Sequence, residues 1–157
     1  MYASTARYRF SQRFRVPAEK AFAWTIDFRP DDFATMGEKG SRRIERISEG
    51  TYLLTDTKYV KGKVVRKPKL INIHPHLLTY LNTHVGGPTK NSQFVYRFLP
   101  LGKRASRLDF SGHVVVYSRR PMSRRSIARI AKEERQADSG VWRHLAKAME
   151  QDLVRKR

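Results

Sequence analysis

Between Tyr8 and Val16 the chain alternates, with Tyr8, Phe10, Gln12, Phe14 and Val16 on one side and Arg9, Ser11, Arg13 and Arg15 on the other. Successive side chains of a strand point to opposite faces, so this segment predicts a half-buried strand with a core face and an arginine face. Pro17 suits the first turn of a helix because it has no amide hydrogen to lose there. Ala18, Phe22 and Ile26 then recur at the spacing of one helical face, and a helix over Pro17–Ile26 is expected. Pro30 with Asp31 and Asp32 predicts a second, short helix with carboxylates at the positive end of its dipole, closed off by Gly37 and Gly40.

From Ser41 the punctuation is that of a meander. Strand-like runs occur near Arg42–Ile47, Thr51–Tyr59, Lys63–Ile73, Leu77–Val85, Ser92–Leu99 and Leu108–Tyr117. Gly50, Gly62, Pro75, Gly86-Gly87-Pro88 and the segment from Pro100 to Gly102 separate most of them. Short strands at near-regular spacing argue for an antiparallel sheet, of seven strands when the first is counted. After Pro121 the period changes to that of a helix. Ser123 is a candidate cap, and Ile127, Ile130, Ala131, Ala137, Val141, Leu145, Ala148 and Met149 trace one stripe to about Leu153. At 1.5 Å per residue that helix is roughly 45 Å long, with Gly140 marking a kink or a close approach of another backbone.

At 157 residues the chain is the size of one domain, taken as 1–157, and its 39% hydrophobic residues suffice for a core. No segment reaches the roughly 20 apolar residues of a membrane span, and no signal-peptide pattern opens the chain, so a soluble, cytoplasmic protein is expected. The absence of cysteine excludes disulfides, a thiol nucleophile and a thiolate metal site. Charge adds more: 33 Lys and Arg against 14 Asp and Glu give +19, a field that attracts phosphates, RNA or acidic lipid headgroups. The same charge is also what a merely solvated basic surface would carry. The cations cluster. Arg7, Arg9, Arg13 and Arg15 line one face of the first strand. Lys58, Lys61, Lys63, Arg66, Lys67 and Lys69 crowd the third and fourth, Arg119, Arg120, Arg124, Arg125 and Arg129 surround the start of the last helix, and Arg155-Lys156-Arg157 end the chain. Lys61, Lys63, Arg66, Lys67, Arg119, Arg120, Arg124 and Arg125 are the candidate anion-binding set.

The order strand, two short helices, six strands, long terminal helix resembles the START-like or birch-pollen-allergen-like superfamily, which includes bacterial polyketide cyclases. The opening Phe14-Arg15-Val16-Pro17-Ala18-Glu19-Lys20-Ala21-Phe22-Ala23-Trp24-Thr25-Ile26-Asp27-Phe28 is similar to that family's strand end, proline, short acidic stretch, Phe-x-Trp and Asp. Ile71-Asn72-Ile73-His74-Pro75 resembles a strand-to-turn step of the same family. The resemblance implies an α+β helix-grip fold: a curved seven-stranded antiparallel sheet wrapped round the C-terminal helix, with an apolar ligand between them. Phe10, Phe14, Leu54, Tyr80, Phe94, Tyr96, Phe98, Phe110, Val114 and Val116 would line that space, facing Ile130, Val141, Leu145 and Met149. Read without the resemblance, these residues favour a filled core over a pocket.

Some polar residues share the inward register: Gln12, Asp56, Asn82 and His84 on strands, and Glu134, which interrupts the helical stripe. Glu134 facing a pocket would have its pKa raised by desolvation and would serve as acid, base or ligand anchor, with Asp56 or His84 as its candidate partner. At a border it would simply pair with an arginine. His74 and His76 flank Pro75, which makes them a turn and not a shared strand face, and no metal is expected there. Asp109 and His113 share the opposite, solvent face of their strand. With no phosphate loop, nucleophile elbow or nucleotide fingerprint, no cofactor is expected. The expected function is binding or transport of a hydrophobic small molecule such as a lipid, quinone or polyketide. An RNA- or ribosome-associated protein and a cyclase- or aromatase-like enzyme are the alternatives, and an anionic membrane is a further candidate partner.

Overall fold

The computed structural model describes residues 1–154. The chain forms β1 (Tyr2–Phe14), α1 (Ala18–Ile26), α2 (Asp32–Thr35), β2 (Gly40–Ser48), β3 (Thr51–Val60), β4 (Lys63–His74), β5 (Thr79–His84), β6 (Gln93–Pro100), β7 (Ser106–Ser118) and α3 (Arg124–Leu153). The strands make one antiparallel sheet in the order β1-β7-β6-β5-β4-β3-β2. The first strand thus closes against the last, and β1 and β2 become the two edges. The link between those edges is the α1–α2 segment, which leaves β1 at one end of the sheet and enters β2 at the other. The terminal Arg155-Lys156-Arg157 run lies outside the described residues.

The alternation at Tyr8–Val16 sets which face is inward: Ala6, Tyr8, Phe10 and Phe14 are buried while Arg7, Arg9 and Arg13 are exposed. Gln12 is only half-buried, its amide bonding to the backbone of Arg13. Tyr8 pairs with Gly112 on β7, and the glycine is required there, because a Cβ at 112 would stand 2.5 Å from the tyrosine ring. The β3–β4 hairpin turns on Lys61-Gly62, both at positive φ, the two-residue loop whose twist matches its strands.

Two local expectations change. β5 starts at Thr79 instead of Leu77, because Pro75 opens a single 3₁₀ turn through Leu77 that ends on a left-handed Leu78. His74 and His76 are exposed on this turn. Gly140 neither breaks α3 nor meets another backbone: the helix runs uninterrupted for 30 residues, and only the Arg143 guanidinium approaches the glycine. Ser123 caps it, its Oγ accepting from the Ser126 amide. Ala137, placed on the apolar stripe above, is exposed, and the helix instead buries Trp142, Ala146 and Met149. Trp142 packs among Phe14, Phe98 and Tyr96 at centroid distances of 6.2, 6.2 and 5.8 Å. Among the described residues no helix is long and apolar enough to cross a membrane.

Candidate functional site

The inward positions of β2 to β5 differ in kind from those of β1, β7 and β6. Arg42 pairs across the β2–β3 ladder with Asp56, and Leu54 pairs with Lys69 on β4. All four point into the fold. Asp56 is fully buried, and three charge-assisted bonds hold it: Arg42 Nε and Nη2 donate at 2.7 and 3.0 Å, and Lys69 Nζ at 2.7 Å. Arg42 also donates to Asp32 of α2 at 2.7 Å, tying the crossing segment to the sheet. Burial would push the Asp56 carboxyl up, but Arg42 and Lys69 together bring it to about 2. Lys69 is displaced downward by its burial, against the pull of Asp56.

Between this wall, α1–α2 and the C-terminal half of α3 lies a cavity of about 360 Å³. Its apolar and aromatic lining comprises Trp24, Phe28, Leu54, Ile71, Tyr80, Tyr96, Phe110, Val141, Trp142, Leu145 and Ala148. Tyr80 and Tyr96 stack with centroids 4.2 Å apart, and Phe28 meets Tyr80 edge-on at 5.9 Å. Its polar lining includes Asn82, Arg42, Lys58, Lys69 and Arg29, with the carboxylates of Asp27, Asp31, Asp32, Glu38, Asp56, Asp138 and Asp152. Trp24 Nε1 donates to Asp152 at 2.9 Å, joining α1 to the end of α3 across the opening. A smaller cleft of about 90 Å³ shares Lys58, Lys69, Asn82, Tyr96 and Asp138 and adds Lys67, His84, Thr89, Phe94, Val114 and Glu134.

No protein-family model matches the chain, and no curated protein matches it in sequence. Solved structures do. The Zhui aromatase/cyclase from Streptomyces sp. R1128 superposes with a TM-score of 0.79 at 9% identity, over 94% of this chain and 95% of that one. A protein from Thermus thermophilus gives 0.78 at 13% identity over 94% and 99%. A START superfamily protein from Mycobacterium smegmatis gives 0.73 at 16% identity over 92% and 98%. The chain has the START-like helix-grip fold.

Within that helix grip, the residues expected to line a ligand site separate into three groups. Leu54, Tyr80, Tyr96, Phe110, Val141 and Leu145 line the larger cavity. Phe94, Val114 and Glu134 line the smaller cleft, where Tyr96 also reaches. Phe10, Phe14 and Phe98 line neither and belong to the packed core, Phe10 stacked on Phe110 at 4.5 Å and Phe14 on Phe98 at 5.9 Å. Glu134 is half-buried, its pKa raised by burial and by Asp138. No hydrogen bond joins it to Asp56 or His84 among the described residues. Asp56 is committed to its two cations, and His84, whose Nδ1 lies 2.7 Å from Thr89 Oγ1, is driven down to about 3 by burial and then by Lys69 and Lys67. At neutral pH it is uncharged.

Of the expected anion-binding residues, Lys67 turns into the smaller cleft, while Lys61, Lys63, Arg66, Arg119, Arg120, Arg124 and Arg125 are exposed. The ladder registers put the β3–β4 turn and the β7–α3 junction at the same end of the sheet, the end at which α2 leads into β2. None of the eight lines the larger cavity.

Sequence reasoning passed over Arg42, Lys69, Asp138 and both tryptophans as site residues. Asp138 had a readable signal: it stands four residues beyond Glu134 and four before Trp142, on one helical face. Its side chain accepts a short hydrogen bond from the Tyr8 hydroxyl. Burial raises the pKa of both groups, with the Asp138 charge adding to the effect on Tyr8.

Proposed function

We propose that this protein binds or carries a small, largely apolar molecule in the cavity between its sheet and α3. The observation that supports the reading is the cavity itself: about 360 Å³, with Trp24, Phe28, Tyr80, Tyr96, Phe110 and Trp142 in its lining beside a set of charged groups that are largely paired with one another. Its volume falls within the roughly 300–1,000 Å³ of ligand pockets. Binding is preferred to catalysis because neither partner expected for Glu134 is free to complete an acid–base pair with it. Asp56 is held ionised by Arg42 and Lys69, and His84 is held neutral. Zhui is an aromatase/cyclase, and at 9% identity that chemistry is not carried over to these residues.

The test is native mass spectrometry of protein purified in high salt, with organic extraction of anything retained, followed by titration of an apolar aromatic panel. The chain has two tryptophans, Trp24 and Trp142, and both line the cavity, so occupancy should change the intrinsic emission. A stoichiometric apolar molecule, or a saturable emission change, is expected. An empty protein whose emission no panel member alters overturns the reading.

The β3–β4 end of the sheet supports a second contact, with an anionic membrane surface. Tyr59, Val60 and Val64 are 70%, 47% and 57% exposed at the β3–β4 tip, interleaved with Lys61, Lys63 and Arg66. Tyr2 and Tyr117 are exposed at the same end, beside Arg119 and Arg120. Exposed aromatic and aliphatic residues among cations fit an interface of headgroups and acyl chains, each cation contributing about 1 kcal/mol near an anionic surface. Co-sedimentation with phosphatidylserine vesicles, weakening with salt and lost in Lys61→Glu/Lys63→Glu, is expected. Retention of RNA with no vesicle binding would move the rim to the nucleic-acid reading.

A further inference from the structure

Charge inside the cavity runs against charge outside it. The chain carries +19, yet seven of its 14 acidic residues line the cavity, against four cations. Those four are already engaged: Arg42 with Asp56 and Asp32, Lys69 with Asp56, Lys58 with Glu38 and Arg29 with Asp27. Asp31, Asp138 and Asp152 have no cation within ion-pair distance among the described residues.

Asp138 is the deepest of these, on the shared wall between the cavity and the smaller cleft, and its hydrogen bond comes from Tyr8. Asn82 lines the same two spaces. It is 6% exposed, and its Oδ1 is the one buried side-chain polar atom without a hydrogen-bond partner among the described residues. Buried acceptors are satisfied in folded proteins as a rule, and each exception calls for a reason. The Tyr80–Tyr96 stack, with Trp142 5.8 Å from Tyr96, presents aromatic faces to the same volume, and such faces attract cations.

We infer that the ligand is an aromatic amine, its flat apolar body among Tyr80, Tyr96 and Trp142 and its ammonium donating to Asn82 Oδ1 and the Asp138 carboxylate. The inference rests on the cavity being a ligand site. It follows from the inventory of charged groups: every cation of the lining already has a carboxylate partner, whereas Asp138 and Asn82 Oδ1 can still accept, so the site favours a cationic donor and discriminates against a carboxylate, which would meet Asp138 with Arg42 and Lys69 already engaged. Non-specific adsorption predicts the opposite order, because a surface of +19 repels amines.

Calorimetric titration of the wild-type protein with three probes, 2-(1-naphthyl)ethylamine, 2-(1-naphthyl)ethanol and 1-naphthylacetate, tests this. The expected order is amine, alcohol, carboxylate, with the amine about tenfold tighter than the alcohol, the worth of one charge-assisted bond. Asp138→Asn should weaken the amine about tenfold and leave the alcohol within about twofold. The carboxylate binding tightest, or three equal affinities, overturns the amine assignment while leaving the binding reading intact. None of the three binding, together with an empty protein by native mass spectrometry, overturns the binding reading and this assignment with it. The wild-type ranking decides even if Asp138→Asn fails to fold.

Discussion

Along β1, β7 and β6 the inward positions carry Phe10, Phe14, Phe94, Phe98, Leu108 and Phe110, and α3 lays Trp142, Ala146 and Met149 over part of them. Along β2 to β5 they alternate Leu54, Ile71 and Tyr80 with Arg42, Asp56, Lys69, Asn82 and His84, and a cavity stands between them and α3. Both halves alternate with period two and both are buried, so burial alone does not separate a core from a site. What separates them is whether the inward groups can satisfy one another. Phenylalanines do so by contact, at no electrostatic cost. Arg42, Asp56 and Lys69 do so only in one fixed geometry, because removing Asp56 leaves the buried Lys69 unpaired and Arg42 with Asp32 alone.

The sharpest way to break the comparison is to delete one group from each half. Asp56→Ala should cost about 3–5 kcal/mol in urea unfolding, because buried Lys69 loses its carboxylate and Arg42 keeps only Asp32. Phe98→Ala should cost a similar amount, about 3–5 kcal/mol, through a cavity in the packed half. The two should differ in ligand binding, which Asp56→Ala weakens and Phe98→Ala leaves within about twofold, since Phe98 does not line the cavity. Equal loss of binding in both would mean the halves are not separable. Within the filled half, Gly112→Ala forces the Tyr8 ring from its place and should cost about 1–3 kcal/mol. Because that ring's hydroxyl donates to Asp138, the same change should also reach the site.

The filled half was the more legible from sequence. Alternation along Tyr8–Val16 and the stripe of the last helix mark apolar faces, and apolar faces pack against one another by a rule that needs no partner named in advance. The strand count, the two short helices and the long helix all follow from that rule and the turn residues. The site was less legible. Asp56, Asn82 and His84 could be placed inward by register, but Arg42 and Lys69 look like any other cation in a chain with 33 of them. That they turn inward depends on Asp56 lying directly across from Arg42 and one strand away from Lys69. Which residues stand opposite one another in neighbouring strands is a matter of register, and the β2–β3 and β3–β4 ladders supply it. The same limit explains why Phe10, Phe14 and Phe98 could not be told from Tyr80 and Tyr96: all face inward, and only the distance to α3 decides which of them border open space.

Acid titration sharpens the comparison further, since the filled half contributes little to it. His84 has a folded pKa of about 3, below its ordinary value, so between those values the unfolded chain binds the extra proton. Stability from this group is complete above about pH 6.5 and declines as pH falls, by about 1–2 kcal/mol between pH 7 and pH 5. Asp56, lowered to about 2, adds a further loss only below about pH 4. Asp32, Glu134 and Asp138 are raised and work in the other direction, so the difference from a His84→Gln variant is the clean reading. Urea midpoints should fall less steeply toward pH 5 in that variant. Parallel slopes would mean that His84 is accessible to protons in the folded protein.

The smallest expected effect concerns the end of the molecule farthest from the cavity. Ser123 caps α3 in the ordinary way, yet the first turn carries Arg124 and Arg125 and no acidic residue. Cations at a helix N-terminus oppose the dipole, each by about 0.3–1 kcal/mol, so on stability alone these positions favour Glu. Arg124→Glu/Arg125→Glu should therefore stabilise the protein slightly in urea and leave ligand affinity unchanged, while reducing retention on phosphatidylserine vesicles. A gain in stability with vesicle binding intact would mean that the arginines are merely tolerated. A gain accompanied by loss of binding would mean that a helix start less stable than it could be is the cost of a charged docking rim.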